Sequence, residues 1–201
     1  MAKQLVISSV ALSTPVLVLT GCLWSDATRY TYYLGADPVE YSLHTLGVIA
    51  ALLLLAALSF SPLRRLGWLV PSMMRYRRPV GVACFFYAFL HALLFAQFYV
   101  GWSAEALASE FASRPYILVG GGAVMLLGLL AATSNNVSVR RLGAKWRMLH
   151  QLIYPASGLF LVHHLWQVRA DYFEFVLFLC GFLLLFVERL WRRARRWSSA
   201  R

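Results

Sequence analysis

The sequence predicts an all-α fold: a polytopic membrane bundle of about six transmembrane helices, with both termini in the cytoplasm. Three observations carry this reading. The 201 residues are 60% hydrophobic and only 13% charged, whereas an ordinary soluble domain carries roughly a quarter charged residues. The apolar residues gather into stretches of about 20, the length that crosses ~30 Å of hydrocarbon at about 1.5 Å per residue. Basic residues cluster on alternate connections, as the positive-inside rule requires.

Six apolar segments can be drawn: 5–24, 42–60, 80–100, 116–133, 150–168 and 172–190. The first carries Pro15 at its middle and is preceded by a single lysine, Lys3. Its Leu19-Thr20-Gly21-Cys22 also resembles a bacterial lipobox, an alternative in which the chain is cleaved before Cys22 and lipidated there. The second segment opens with His44, the third holds His91, and the fourth contains Gly120-Gly121-Gly122. The fifth begins at His150 and carries the adjacent pair His163 and His164, while the sixth runs into an arginine-rich tail. No long linker, repeat or low-complexity tract interrupts the series, so residues 1–201 read as one helical domain.

Orientation follows from the charges. The N-terminus, the second and fourth connections and the C-terminal tail hold 16 Lys and Arg, against 3 (Arg29, Arg114 and Arg169) on the opposite side. Seven of the eight acids lie on that basic-poor side. The formal net charge of +11 is therefore a topology signal, not a nucleic-acid footprint. Cys22, Cys84 and Cys180 sit in separate segments without CxxC spacing, which argues for small packing residues over disulfide or zinc chemistry.

The depths of the histidines are calculable. His91 lies 13 residues above Arg78, or ~20 Å into the membrane from the cytoplasmic side. His150 marks the inner edge of the fifth segment, and His163 and His164 lie 13 and 14 residues higher, again ~20 Å. His91 thus matches the depth of the His163–His164 pair on another helix, while His44 lies near the outer surface. Two imidazoles at one depth on different helices suit the two axial faces of a haem iron, which leaves no open coordination site for oxygen chemistry. The ordinary alternative is a hydrogen-bonded packing or relay histidine. Periodicity does not choose the partner of His91: an ideal helix turns His163 about 140° from His150 but His164 only ~40°, and Pro155-Ala156-Ser157-Gly158 breaks the ideal phase. The triple glycine would let a macrocycle or a neighbouring helix approach closely.

The remaining features read more simply. Trp24, Trp102, Trp166 and Trp191 sit near segment ends, as an aromatic belt does. Gln97 reads as a packing hydrogen-bonder, and Glu188 beside Arg189 as a side chain reaching for the cytoplasmic boundary. There is no glycine-rich nucleotide loop, CxxCH haem-attachment motif or Ser/His/Asp set, so electrons would have to arrive from outside the chain.

Several landmarks run in order across nearly the whole chain: Gly35-Ala36-Asp37-Pro38-Val39, Arg77-Arg78 with Gly81, Arg114-Pro115-Tyr116, Leu142-Gly143 with Trp146 before Leu149-His150, and His163 followed by Leu165-Trp166. This pattern resembles the MsrQ (YedZ) family of haem-binding membrane subunits, within the ferric-reductase-like transmembrane group. The resemblance implies an electron-transfer subunit, not the catalytic one, of the bacterial inner membrane. Such a subunit passes electrons through haem b from a cytoplasmic flavin reductase or quinol to MsrP, a periplasmic molybdenum-containing reductase that repairs methionine sulfoxide in periplasmic proteins. It also implies FMN, for which no residue of this sequence is a candidate. Carried over position by position, the iron ligands are His91, His150 and His163, because the family has twelve residues between the two histidines of the fifth segment. His44 matches the histidine that opens the second, although Thr45-Leu46-Gly47 departs from the family pattern, in which threonine directly precedes the glycine.

NADPH-oxidase-like relatives stack two haems on four histidines. Here the inner position on the third segment falls near Arg77, so one outer haem is expected, with an inner haem or flavin at His150 as the alternative. Two other functions remain open at this level: a stand-alone ferric or cupric reductase, and a non-redox transporter or scaffold.

Overall fold

The computed structural model describes residues 2–29, 34–168 and 171–198, and among these there is no strand. Arg169 and Arg201, which enter the charge asymmetry, lie outside the described residues. Every predicted apolar segment is helical: α1 Ala2–Arg29, α2 Pro38–Arg65, α3 Arg77–Phe95, α5 Pro115–Ala132, α8 Ile153–Gln167 and α9 Phe173–Ser198. A short helix, α4 Ala104–Ser113, fills the third connection, and α6 Asn136–Leu142 with α7 Ala144–Leu149 fill the fourth. Among the described residues, three stretches are both long and apolar enough to span a membrane as continuous helix: Pro38–Arg65, Pro71–Val100 and Pro115–Ala132. The fifth segment is broken instead, into a 3₁₀ turn at His150–Leu152 and the 15-residue α8.

Local chemistry explains the boundaries. Asp37 caps α2 by accepting from the amides of Val39 and Glu40, and Pro38 occupies the first helical position, where its missing N–H costs nothing. Ser103 caps α4 through the amide of Ala106, and Asn135 caps α6 through that of Ser138. α3 ends by widening into a π turn at Ala96–Val100 before Gly101 adopts φ +62°. Gln97 in that turn accepts a 2.6 Å hydrogen bond from the Trp102 indole.

The bundle is two helix pairs joined along one seam. α2 packs on α3 and α5 on α8, α3 meets α5 between the pairs, and α9 closes against α2 and α8. Small residues let the backbones approach, the usual basis of helix packing where lipid competes with side chains. Ala51, Cys84, Ala156 and Ser157 are all at most 2% exposed, and the Cys84 thiol donates to the Ala50 carbonyl at 3.3 Å. Phe178, Phe182 and Leu185 of α9 complete this core. Conversely, Phe86, Met125, Leu177, Leu184 and Val187 face outward, as expected of surfaces wetted by hydrocarbon. The four belt tryptophans are exposed, and the three cysteines are free.

Toward the C-terminal end of α2, Pro62 lies inside the helix and has no amide hydrogen to offer the Leu58 carbonyl one turn back. Arg189 fills the gap, its Nη2 donating to Leu58 O at 2.6 Å, while Arg77 Nε donates to the neighbouring Ala57 O at 3.2 Å. Glu188 binds Arg65, whose Nη2 stands 2.8 Å from both carboxylate oxygens, and also pairs with Arg192. The sequence reading of Glu188 as a boundary side chain beside Arg189 thus gains specific partners.

Candidate functional site

The seam between the helix pairs is where the histidines meet. His91 on α3 and His163 on α8 approach with ring centroids 6.3 Å apart and planes at 87°. Each ring is tied back to the partner helix of its own pair. His91 Nδ1 bonds the Leu43 carbonyl of α2 at 2.9 Å, and His163 Nδ1 bonds the Tyr116 carbonyl of α5 at 2.7 Å. A carbonyl only accepts, so both Nδ1 atoms carry a proton, and in the neutral imidazole each Nε2 keeps its lone pair. At His163 that lone pair accepts from Gln167 Nε2 at 3.1 Å.

The neighbouring His164 points elsewhere. Its ring stacks on Phe160 (centroids 5.6 Å apart, planes at 12°) and lies edge-on to Phe178. Its Nε2 is 3.6 Å from Glu174 Oε1, too long for a hydrogen bond, and neither atom has another partner. The other carboxylate oxygen of Glu174 lies 3.1 Å from His44 Nε2. His44 thus joins the N-terminal turns of α2 and α9, with 62% of its side chain exposed, and does not take part in the His91–His163 contact.

His150 stands at the other end of α5. It stacks on Trp146 with centroids 3.9 Å apart, its Nδ1 bonds the Trp146 carbonyl at 3.2 Å, and its Nε2 lies 3.3 Å from Ser134 Oγ. No other histidine is in contact with it among the described residues. The helix-three position opposite, Arg77, is engaged with the α2 backbone.

The choice within the pair has a local cause. The 3₁₀ turn at His150–Leu152 advances the chain about 120° per residue in place of 100°, which leaves His163 roughly 80° and His164 roughly 20° off the His150 direction, so phase relative to His150 does not select His163. α5 does, because Gly120 leaves the room that His163 occupies. A Cβ built at Gly120 would stand 2.6 Å from His163 Nδ1, whereas at Gly121 it would meet nothing within 4 Å. The triple glycine is thus three different positions: Gly120 faces the imidazole, Gly121 faces open space and Gly122 packs on Leu159. Sequence reasoning did not single out the Leu43 and Tyr116 carbonyls, Gln167, Ser134 or Glu174. The usable signal was a glycine one turn after each carbonyl, at Gly47 and Gly120.

The spacing of the pair fits a haem iron. Two imidazoles on opposite faces of one metal, each bound at about 2.0 Å, have centroids roughly 6 Å apart. The separation of His91 and His163, their neutral Nδ1-protonated form and their apolar surroundings are compatible with that arrangement.

Comparison with known proteins defines the class. Residues 45–161 match the family of the ferric reductase like transmembrane component. Over 192 residues the chain is 38% identical to the protein-methionine-sulfoxide reductase heme-binding subunit MsrQ of Rhodospirillum rubrum, covering 92% of this chain and 91% of that relative. The chain belongs to the ferric-reductase-like transmembrane proteins and, within them, to the MsrQ family. No solved structure matches it.

Proposed function

We propose that this chain is a b-type cytochrome subunit of the bacterial inner membrane. In this reading it carries electrons from the quinone pool or a cytoplasmic flavin reductase to a periplasmic MsrP-type reductase that repairs methionine sulfoxide. The observation that carries the reading is the 6.3 Å approach of His91 and His163 on separate helices, each with its Nδ1 bonded to a backbone carbonyl. His91 and His163 would hold the iron of one haem b through Nε2, and residues 1–201 act as one domain. Haem bound there would supply a one-electron carrier. The Leu43 and Tyr116 carbonyls fix the tautomer and ring direction. The lipid-facing surface keeps water from the seam. His44 pairs with Glu174, His164 packs among the phenylalanines of α8 and α9, both serve α9 docking, and His150 marks the inner level. No residues are assigned to FMN.

A non-redox transporter or scaffold would bind no chromophore, so the first test is the absorption spectrum of the purified protein. A dithionite-sensitive Soret band is expected, and its absence would end the electron-transfer reading. In the second test the reduced protein is mixed with an MsrP-type reductase plus methionine sulfoxide, or with ferric chelates. Reoxidation by the former is expected, and reoxidation by chelates alone would make the chain a stand-alone ferric reductase.

A further inference from the structure

The two imidazoles are held by the same device on two different helices. The carbonyl that binds His91 belongs to Leu43, and the residue one turn later is Gly47; the carbonyl that binds His163 belongs to Tyr116, and one turn later is Gly120. In an α-helix the carbonyl of residue i already accepts from the amide of residue i+4. A second donor must therefore approach that oxygen from the side, across the surface where the i+4 side chain would begin. Glycine at i+4 removes that side chain. A Cβ at Gly120 would lie 2.6 Å from Nδ1 and 2.7 Å from Cε1 of His163, closer than real Cβ atoms come, and at Gly47 it would lie 3.4 Å from His91 Nδ1.

We propose that Gly47 and Gly120 are positioning residues for the iron ligands: each forms a notch that lets an imidazole share a helix carbonyl, fixing which nitrogen faces the metal and the plane in which the ring lies. This rests on the reading of His91 and His163 as ligands. The two notches are unequal. Any side chain at 120 must displace the His163 ring, which loses its Tyr116 bond and its aim at His91. Alanine at 47 would bring its methyl to the edge of van der Waals contact with the His91 ring, so the Leu43 bond is kept and only the tilt of the ring is affected. Groups that orient metal-bound histidines typically change metal affinity by about 10–100-fold when removed.

The test compares Gly120→Ala, Gly121→Ala and Gly47→Ala with wild type, purified identically and checked for monodispersity. Three quantities are read: haem per chain, the low-spin ferric electron paramagnetic resonance g values, and the haem midpoint potential. Gly120→Ala is expected to retain about a tenth or less of the wild-type haem, with altered g values in what remains. Gly121→Ala, one position away on the same helix with open space above it, is expected to match wild type in all three. Gly47→Ala is expected to fold and keep its haem but to shift its g values and potential, so the inference stays testable if Gly120→Ala does not fold. Equal haem loss in Gly120→Ala and Gly121→Ala would reduce the glycines to helix packing, and unchanged spectra and potential in Gly47→Ala would remove its notch. The same measurements on His91→Ala and His163→Ala separate the two levels. Full haem in both would sink the ligand assignment and the notches with it, whereas loss there beside an unchanged Gly120→Ala would sink the notches alone.

Discussion

At the scale of single residues, His163 and His164 are adjacent in sequence but face different partners. His163 meets His91 and the α5 backbone, while His164 lies among Phe160, Phe175 and Phe178 of α8 and α9. His163→Ala is therefore expected to abolish haem binding, as is His91→Ala. His164→Ala should keep nearly all the haem while loosening α9, because it removes an aromatic contact and a partner of Glu174. Pyridine haemochrome per mole of protein checks all three, and haem lost from His164→Ala but retained in His163→Ala would reverse the assignment. The depth match between His91 and the pair was legible from rise per residue alone, because counting along a helix survives local irregularity. The choice within the pair was not legible from periodicity, because angle accumulates error where rise does not. A single 3₁₀ turn shifts phase by about 60° over three residues and changes depth by only ~1.5 Å. The family resemblance pointed to His163, and the packing supplies a physical reason for the two rings to differ.

At the scale of elements, the helical character of all six apolar segments was legible, because hydrocarbon imposes length and composition on spanning helices, although only three stretches among the described residues are long and apolar enough to span as continuous helix. What holds the helices together at the Pro62 end was not legible, because it depends on which residues meet across helices. Pro62 is an instance: in sequence it is a proline near the end of an apolar run, while in the fold it frees the Leu58 carbonyl, which Arg189 then binds from α9. Arg189→Ala would leave that carbonyl short of a donor in a buried stretch, where Leu58 is 1% exposed. A loss of about 1–2 kcal/mol is expected, between the value of a hydrogen bond to a charged group and the smaller average seen between membrane helices. Adding Pro62→Ala restores an amide hydrogen one turn along, so Arg189→Ala/Pro62→Ala should recover part of the loss. Unfolding in mixed micelles, run as a double-mutant cycle, reads the coupling directly. Strict additivity of the two substitutions would show that Arg189 acts elsewhere.

At the scale of the whole molecule, orientation decides which side feeds electrons in. The charge asymmetry predicts both termini in the cytoplasm, and the expected outcome is that fluorescent-protein fusions at either end are bright and alkaline phosphatase fusions inactive. That orientation would put the His91–His163 seam in the outer half of the membrane, ~20 Å above the level of His150. A donor confined to the cytoplasmic surface must then act across that distance, whereas a quinol dissolved in the bilayer can reach the seam from the side. His150 is the residue at which the two routes part. It lies at the inner end, stacked on Trp146 and beside Ser134, with no histidine opposite it among the described residues. If its role is confined to helix packing, His150→Ala should leave haem content and quinol-driven reduction near wild type, and a soluble flavin reductase should be a slow donor to both proteins. If His150 carries an inner redox group, wild type should be reduced rapidly by the flavin reductase and His150→Ala should lose that route while keeping the quinol one. Stopped-flow reduction of the Soret band in proteoliposomes, with each donor in turn, measures both rates. With one secure imidazole pair in the fold, the expected result is the first: fast reduction by quinol, and no dependence on His150.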